Sequence, residues 1–116
     1  MNMKNLTMFI RPEKLETVKS ILIDKYQCGG MTVSNVMGCG NQKGYNEEFK
    51  NIRTNVNLLP KLKVEVFILD EKEEKIIEEI CDSLSTGNAG DGKIYVSDVE
   101  YGVRIRTKEK VGVSEN

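Results

Sequence analysis

Between Lys61 and Leu69 the chain alternates without a break: Leu62, Val64, Val66 and Ile68 fall on one side, Lys61, Lys63, Glu65 and Phe67 on the other. Successive side chains of a strand point to opposite faces, so this pattern is that of a half-buried strand, with its core on one side only. Lys4 to Arg11 repeats the pattern with Leu6, Met8 and Ile10 on one side. Pro12 then suits the first turn of a helix, where its missing N–H costs nothing. Leu15, Val18, Ile21 and Leu22 recur at helical spacing opposite Glu13, Lys14, Glu16 and Lys19, giving an amphipathic helix that ends near Tyr26 before Gly29-Gly30. From Met31 to Met37 the β-branched Thr32, Val33 and Val36 indicate another strand. Asp70-Glu71 opens a second helix at the end where the helix dipole favours acids, with an apolar stripe of Ile76, Ile77, Ile80 and Leu84 and with Cys81 beside it. Lys93 to Thr107 reads as a last strand, from Ile94 and Val96 through Val103 and Ile105, and Lys108 to Asn116 as a loose tail. The order β-α-β-β-α-β predicts an α+β, ferredoxin-like sandwich: an antiparallel four-stranded sheet with two helices on one face.

Length and charge narrow the function classes. A chain of 116 residues makes a single domain, 1–116. With 17 basic and 18 acidic residues the net charge is −1, so nothing in the bulk electrostatics favours nucleic acid, and any anion must be held by local placement. There is no histidine, and the three cysteines, Cys28, Cys39 and Cys81, are widely spaced. Tetrahedral metal sites, a disulfide framework and His-dependent nucleophilic catalysis therefore lack their residues. No apolar run approaches the roughly 20 residues of a membrane span and no signal-peptide core precedes the first strand, so a cytoplasmic protein without membrane insertion is expected.

Four polar clusters carry chemistry. Thr86-Gly87-Asn88-Ala89-Gly90-Asp91-Gly92-Lys93 joins the second helix to the last strand, with three glycines within six residues. Such a turn can present successive N–H groups to an anion, and Lys93 adds a cation. The glycine-lysine spacing of a P-loop is missing, and the glycines precede a strand rather than a helix, unlike the dinucleotide fingerprint. Taken alone, the loop is equally well a purely geometric connection. The second cluster is Gly38 to Gly44 with Gln42 and Lys43, and the third is Lys61, which alone reads as a surface lysine. The fourth is Arg104-Ile105-Arg106, where strand alternation puts two guanidinium groups on one face, suited to phosphate oxygens or simply to water. The polar stretch Tyr45 to Asn57 has no period and reads as a long exposed recognition loop.

In this order the strings Gly38-Cys39-Gly40-Asn41-Gln42-Lys43-Gly44, Leu59-Pro60-Lys61-Leu62-Lys63-Val64-Glu65, Thr86-Gly87-x-x-Gly90-Asp91-Gly92-Lys93-Ile94-Tyr95 and Arg104-Ile105-Arg106-Thr107 resemble the PII nitrogen-regulatory proteins, a group with GlnB, GlnK and NifI types. The resemblance runs from about Lys4 to Thr107. It implies a homotrimer with nucleotide clefts between neighbouring subunits. It also implies a target-binding T-loop at about 39–58, a phosphate-cradling B-loop at 86–93, and a C-terminal strand and C-loop at 94–109. ATP or ADP would meet Thr86, Gly87, Gly90, Asp91, Gly92 and Lys93, with Gly30, Thr32, Val64 and Glu65 around the base and ribose. Gly38, Gly40, Gln42 and Lys61 would complete the cleft, with Arg104 and Arg106 reaching it from the adjacent subunit. In members that sense 2-oxoglutarate, the positions of Gln42, Lys43, Gly44 and Lys61 hold it, and Mg²⁺ bridges Gln42, the phosphates and the acid. Tyr45, Phe49, Lys50, Arg53 and Thr54 would contact the target.

The chain departs from the family pattern at several of these positions. Asn41 and Asn88 stand where basic residues are usual, which bears on the choice between ATP and ADP. Thr54 replaces the tyrosine that some members have uridylylated, so that modification is not expected. Lys50 takes the place of a channel-plugging arginine, keeping charge without the planar fork. The resemblance implies a non-enzymatic sensor of nitrogen, carbon and energy status acting on an ammonium transporter, nitrogenase or a glutamine-synthetase system. The alternative is a PII-like trimeric module with another small-molecule or metal effector. An ATP-hydrolysing enzyme lacks an evident general base near the clusters.

Overall fold

The computed structural model describes residues 2–39 and 58–111. Its sheet runs β2-β3-β1-β4, all neighbours antiparallel, from strands β1 (Met3–Ile10), β2 (Met31–Cys39), β3 (Leu58–Leu69) and β4 (Lys93–Val99). The β-α-β-β-α-β order and the antiparallel sheet expected from the sequence are both present. β1 is the hinge of the arrangement, because it pairs with β3 from Met3↔Leu69 to Ile10↔Leu62 and with β4 from Met3↔Val99 to Phe9↔Lys93. Pro60 is tolerated inside β3 because β1 has already stopped at Ile10, opposite Leu62, so only the β2 side of β3 is paired there.

The first helical segment joins a 3₁₀ turn at Pro12–Lys14, the α-helix Leu15–Lys19 (α1) and a π-helical run at Ser20–Lys25. Its end is closed by the Cys28 N–H donating to Leu22 O at 2.8 Å, with Gln27 at φ 52°. Such a left-handed residue is a common helix stop, normally glycine. Glu79 of the second helix, α2 (Glu73–Leu84), accepts from the Tyr26 hydroxyl at 3.0 Å and pairs with Lys25 at 2.7 Å, tying the two helices together.

Both helices lie on the face that carries Leu6, Met8, Ile10, Leu62, Val64, Val66 and Ile68, and they contribute Val18, Ile21, Leu22, Ile76, Ile80 and Leu84 to one core. That core is wholly aliphatic apart from Met8, and no polar side chain is buried among the described residues. The alternation from Lys61 to Leu69 thus states the fold directly: its apolar side is the buried one.

The C-terminal end departs from expectation. β4 stops at Val99, opposite Met3, where β1 has no further residues to pair with it. The chain then folds on itself as a small hairpin, β5 (Gly102–Val103) against β6 (Lys110–Val111), with Arg104 N–H donating to Glu109 O at 2.8 Å and Lys108 N–H to Arg104 O at 2.7 Å. A single strand to Thr107 is therefore corrected, and so is a loose tail as far as Val111: Arg104 follows β5, Ile105–Thr107 turn, and Lys110 and Val111 are paired, while 112–116 lie outside the described residues. Val103 and Ile105 extended the apolar pattern in the sequence, yet both are exposed, Ile105 at 94%.

Ile80 is 1% exposed, and Ile80→Ala should cost about 2–5 kcal/mol in urea unfolding through the lost methylenes and the cavity left behind. Cys81→Ala, on the neighbouring exposed position, should stay within about 0.5 kcal/mol.

Candidate functional site

The glycine loop between α2 and β4 has a defined internal structure. Gly87, Gly90 and Gly92 have φ of 82°, 97° and 112°, all in the left-handed region. Gly92 is doubly constrained, since a Cβ there would also collide with the Phe9 carbonyl oxygen at the end of β1. Asp91 closes the loop on its own start. Its Oδ2 accepts from the Thr86 amide at 2.7 Å and the Gly87 amide at 3.2 Å, while its Oδ1 accepts from the Thr86 hydroxyl at 2.6 Å. The carboxylate is thereby engaged by the loop rather than offered outward, and Asn88 N–H adds a bond to Thr86 Oγ1 at 3.3 Å.

Two cations from other strands grip the loop. Arg11, just past β1, donates from Nη2 to Ala89 O at 3.0 Å and places Nη1 3.4 Å from Asp91 Oδ1. Lys61 on β3 donates from Nζ to Gly90 O at 2.8 Å. Beside them lies a cavity of about 410 Å³ whose lining includes Phe9, Val36, Gly38, Cys39, Lys61, Gly90, Gly92, Lys93 and Tyr95. Five of the positions singled out in the sequence, Gly38, Lys61, Gly90, Gly92 and Lys93, thus meet in one cleft. Gly38 lets the Lys61 stem pass close, since a Cβ would sit 3.1 Å from Lys61 Cγ.

Gly30 and Thr32 line a second cavity, of about 600 Å³, at the other end of β2, together with Phe67. Glu65 registers directly opposite Thr32. Val64 is different: its side chain is fully buried on the helix-covered face, so it can serve the cleft only through its backbone. Gly40, Gln42, Lys43, Gly44, Tyr45, Phe49, Lys50, Arg53 and Thr54 lie outside the described residues. Arg104 and Arg106 do not share a strand face, because the hairpin turn separates them, and Arg104 lies 3.9 Å from Glu109 of its own hairpin. Arg11 and Phe67 are not among the sequence-predicted site residues; the available signals were an arginine wedged between a strand and a proline, and an aromatic on the polar side of β3.

Residues 3–109 match the family described as Nitrogen regulatory protein P-II. The chain is 45% identical over 107 residues to the P-II protein of Pyropia yezoensis, covering 92% of this chain and 95% of that one. It is 46% identical to "Nitrogen regulatory protein P-II 2" of Methanothermobacter thermautotrophicus, covering 92% of each. The structure superposes on that of GlnK from B. subtilis with a TM-score of 0.75 at 30% identity, covering 97% of both chains. The chain belongs to the P-II family. P-II proteins are regulatory signal transducers rather than enzymes, and the ferredoxin-like fold of this member is that of GlnK. No described helix is long and apolar enough to cross a membrane.

In this P-II chain, the Thr86 hydroxyl above all, then the Thr86 amide and the Arg11 charge, hold the Asp91 carboxyl below its ordinary range. A carboxyl depressed on folding adds stability that is complete above its unfolded value of about 3.9 and is lost as pH falls through the folded value. The Asp91 side-chain carbon signal should therefore titrate with a midpoint below about 3.9, the Thr86 and Gly87 amides moving with it. Asp91→Asn should remove this part of the acid-induced loss of stability.

Proposed function

We propose that the chain is a nitrogen-, carbon- and energy-status sensor that binds ATP or ADP in the cleft of the glycine loop. It takes up 2-oxoglutarate with Mg²⁺ beside the nucleotide and acts on a target protein through segment 39–58. The observation that carries the nucleotide reading is the convergence on one cleft of a loop with three left-handed glycines and two lysines, Lys61 and Lys93. Such a loop approaches an anion closely without side-chain obstruction, and the cations supply the local charge that a net charge of −1 does not. Membership of a nitrogen-regulatory family supports the signalling role.

No three Asp, Glu or Cys side chains gather into a metal site among the described residues. Mg²⁺ fits such a cleft nonetheless, because it is commonly held by substrate phosphates with few protein ligands. Gln42 is the side chain that would reach it. The ion would neutralise phosphate charge; the chain's own part is to hold the phosphates with backbone amides and Lys93, while Lys61 grips the loop from its carbonyl side.

Assembly as a homotrimer is part of this reading. The sheet face away from the helices carries Phe67 at 48% and Tyr95 at 54% exposure, with Tyr95 packed edge-on against Phe9 at 6.2 Å. Exposed aromatics on an uncovered sheet face favour association. Arg104 and Arg106, on a hairpin separate from the main sheet, would then serve a neighbour's cleft. The target would be an ammonium transporter or a nitrogen-metabolism enzyme, in a cytoplasmic setting.

Calorimetry tests the sensor directly. Mg-ATP and 2-oxoglutarate should each bind more tightly in the presence of the other, by the same factor, as linkage requires. Nucleotide binding indifferent to 2-oxoglutarate would point instead to a PII-like module with a different effector. In the same titration Arg106→Ala should weaken Mg-ATP at least a few-fold, since a charge-assisted contact is worth about 1.5–3 kcal/mol. Unchanged affinity would make the arginine a solvated surface residue.

A further inference from the structure

Arg11 belongs to none of the glycine, lysine or arginine motifs, yet it makes two contacts with the glycine loop. One guanidinium nitrogen donates to Ala89 O at 3.0 Å and the other lies 3.4 Å from Asp91 Oδ1. Lys61 donates to the next carbonyl, Gly90 O, at 2.8 Å. Two consecutive carbonyls are thus drawn toward cations anchored on β1 and β3. In a trans peptide the N–H points opposite to the C=O of the same unit, so the Gly90 and Asp91 amides are turned away from the two cations. Successive N–H groups turned to one side in this way can form an anion-binding concavity.

The loop needs such a clamp. Glycine-rich backbone has more conformational freedom to lose than any other, so the amides would otherwise sample many directions. The Arg11–Asp91 pair is sheltered, with side chains 27% and 20% exposed, which limits screening by solvent. The approach also depends on Gly90, since a Cβ there would sit 3.1 Å from Arg11 Nη2.

We propose that Arg11 is a positioning residue for nucleotide phosphates: bridging Ala89 O and the Asp91 carboxylate, it holds the loop amides in their anion-binding orientation without itself touching the ligand. This rests on the reading of the loop as a phosphate site. Lysine cannot reproduce the two-pronged contact, because it offers one point charge in place of a planar fork.

The test compares the full-length wild type with Arg11→Gln and Arg11→Lys by two measurements: amide hydrogen exchange of nucleotide-free protein, and titration with Mg-ATP. In Arg11→Gln the hydrogen-bonded loop amides of Thr86, Gly87 and Asn88 should exchange about tenfold faster while those of β1 and α2 keep wild-type rates, and Mg-ATP affinity should fall by about tenfold, as for the loss of one charge-assisted bond. Arg11→Lys should fall between the two proteins in both measurements. Weakened binding with unchanged loop exchange would overturn the proposal by making Arg11 a direct ligand of the phosphates, and a loosened loop with unchanged affinity would overturn it as well. A wild type that does not bind Mg-ATP overturns the nucleotide reading. The exchange data then decide the clamp alone, loosening in Arg11→Gln supporting it and wild-type exchange refuting it.

Discussion

The antiparallel pairing of β1 on both its edges is the constraint from which the rest of the molecule follows. Pairing with β3 and β4 puts Leu6, Met8 and Ile10 at the centre of the core, and the two helices close over them. The same strand fixes the site. Phe9 presents the carbonyl against which Gly92 packs, Arg11 reaches the loop from the strand's end, and the pairing of Met3 with Val99 sets where β4 must stop. A change in register of β1 would therefore move the core and the loop together, since a one-residue slip sends every side chain to the opposite face.

The fold was legible because its signals are local. The alternation from Lys61 to Leu69 names the buried face residue by residue, and the stripe of Ile76, Ile80 and Leu84 is the buried side of α2. The C-terminal hairpin was not legible in this way. Val103 and Ile105 continue an apolar alternation, but whether such a stretch stays a strand depends on a partner, and the partner ends at Met3. Pairing is a property of two segments, which one segment's pattern cannot supply.

The site shows the same division. By composition Gly90, Gly92 and Lys93 suit an anion loop or a geometric connection alike; in the structure both glycines have positive φ and all three residues line the cleft. Val64 stands within a motif of the site, yet its alternation with Glu65 assigns it to the core, where it is fully buried. Periodicity is the firmer guide to where a side chain points. Arg11 could not have been found from spacing, since its partners Ala89 and Asp91 lie 78 and 80 positions later in the chain and meet it only through the β1–β4 pairing.

The aliphatic character of the core has a spectroscopic consequence. The chain has no tryptophan, and among the described residues no aromatic side chain is buried in the core. Tyr95 lines the cleft against Phe9, Tyr101 stands exposed beside the Lys110 ammonium, and Tyr26 seals the helix–helix contact through Glu79. Tyrosine emission from these three positions consequently reports on the cleft, the hairpin and the helix junction where Tyr26 meets the core. A fluorescence change on adding a ligand would then mark events at the cleft or the hairpin, while unfolding would be read chiefly through Tyr26, which packs against the core.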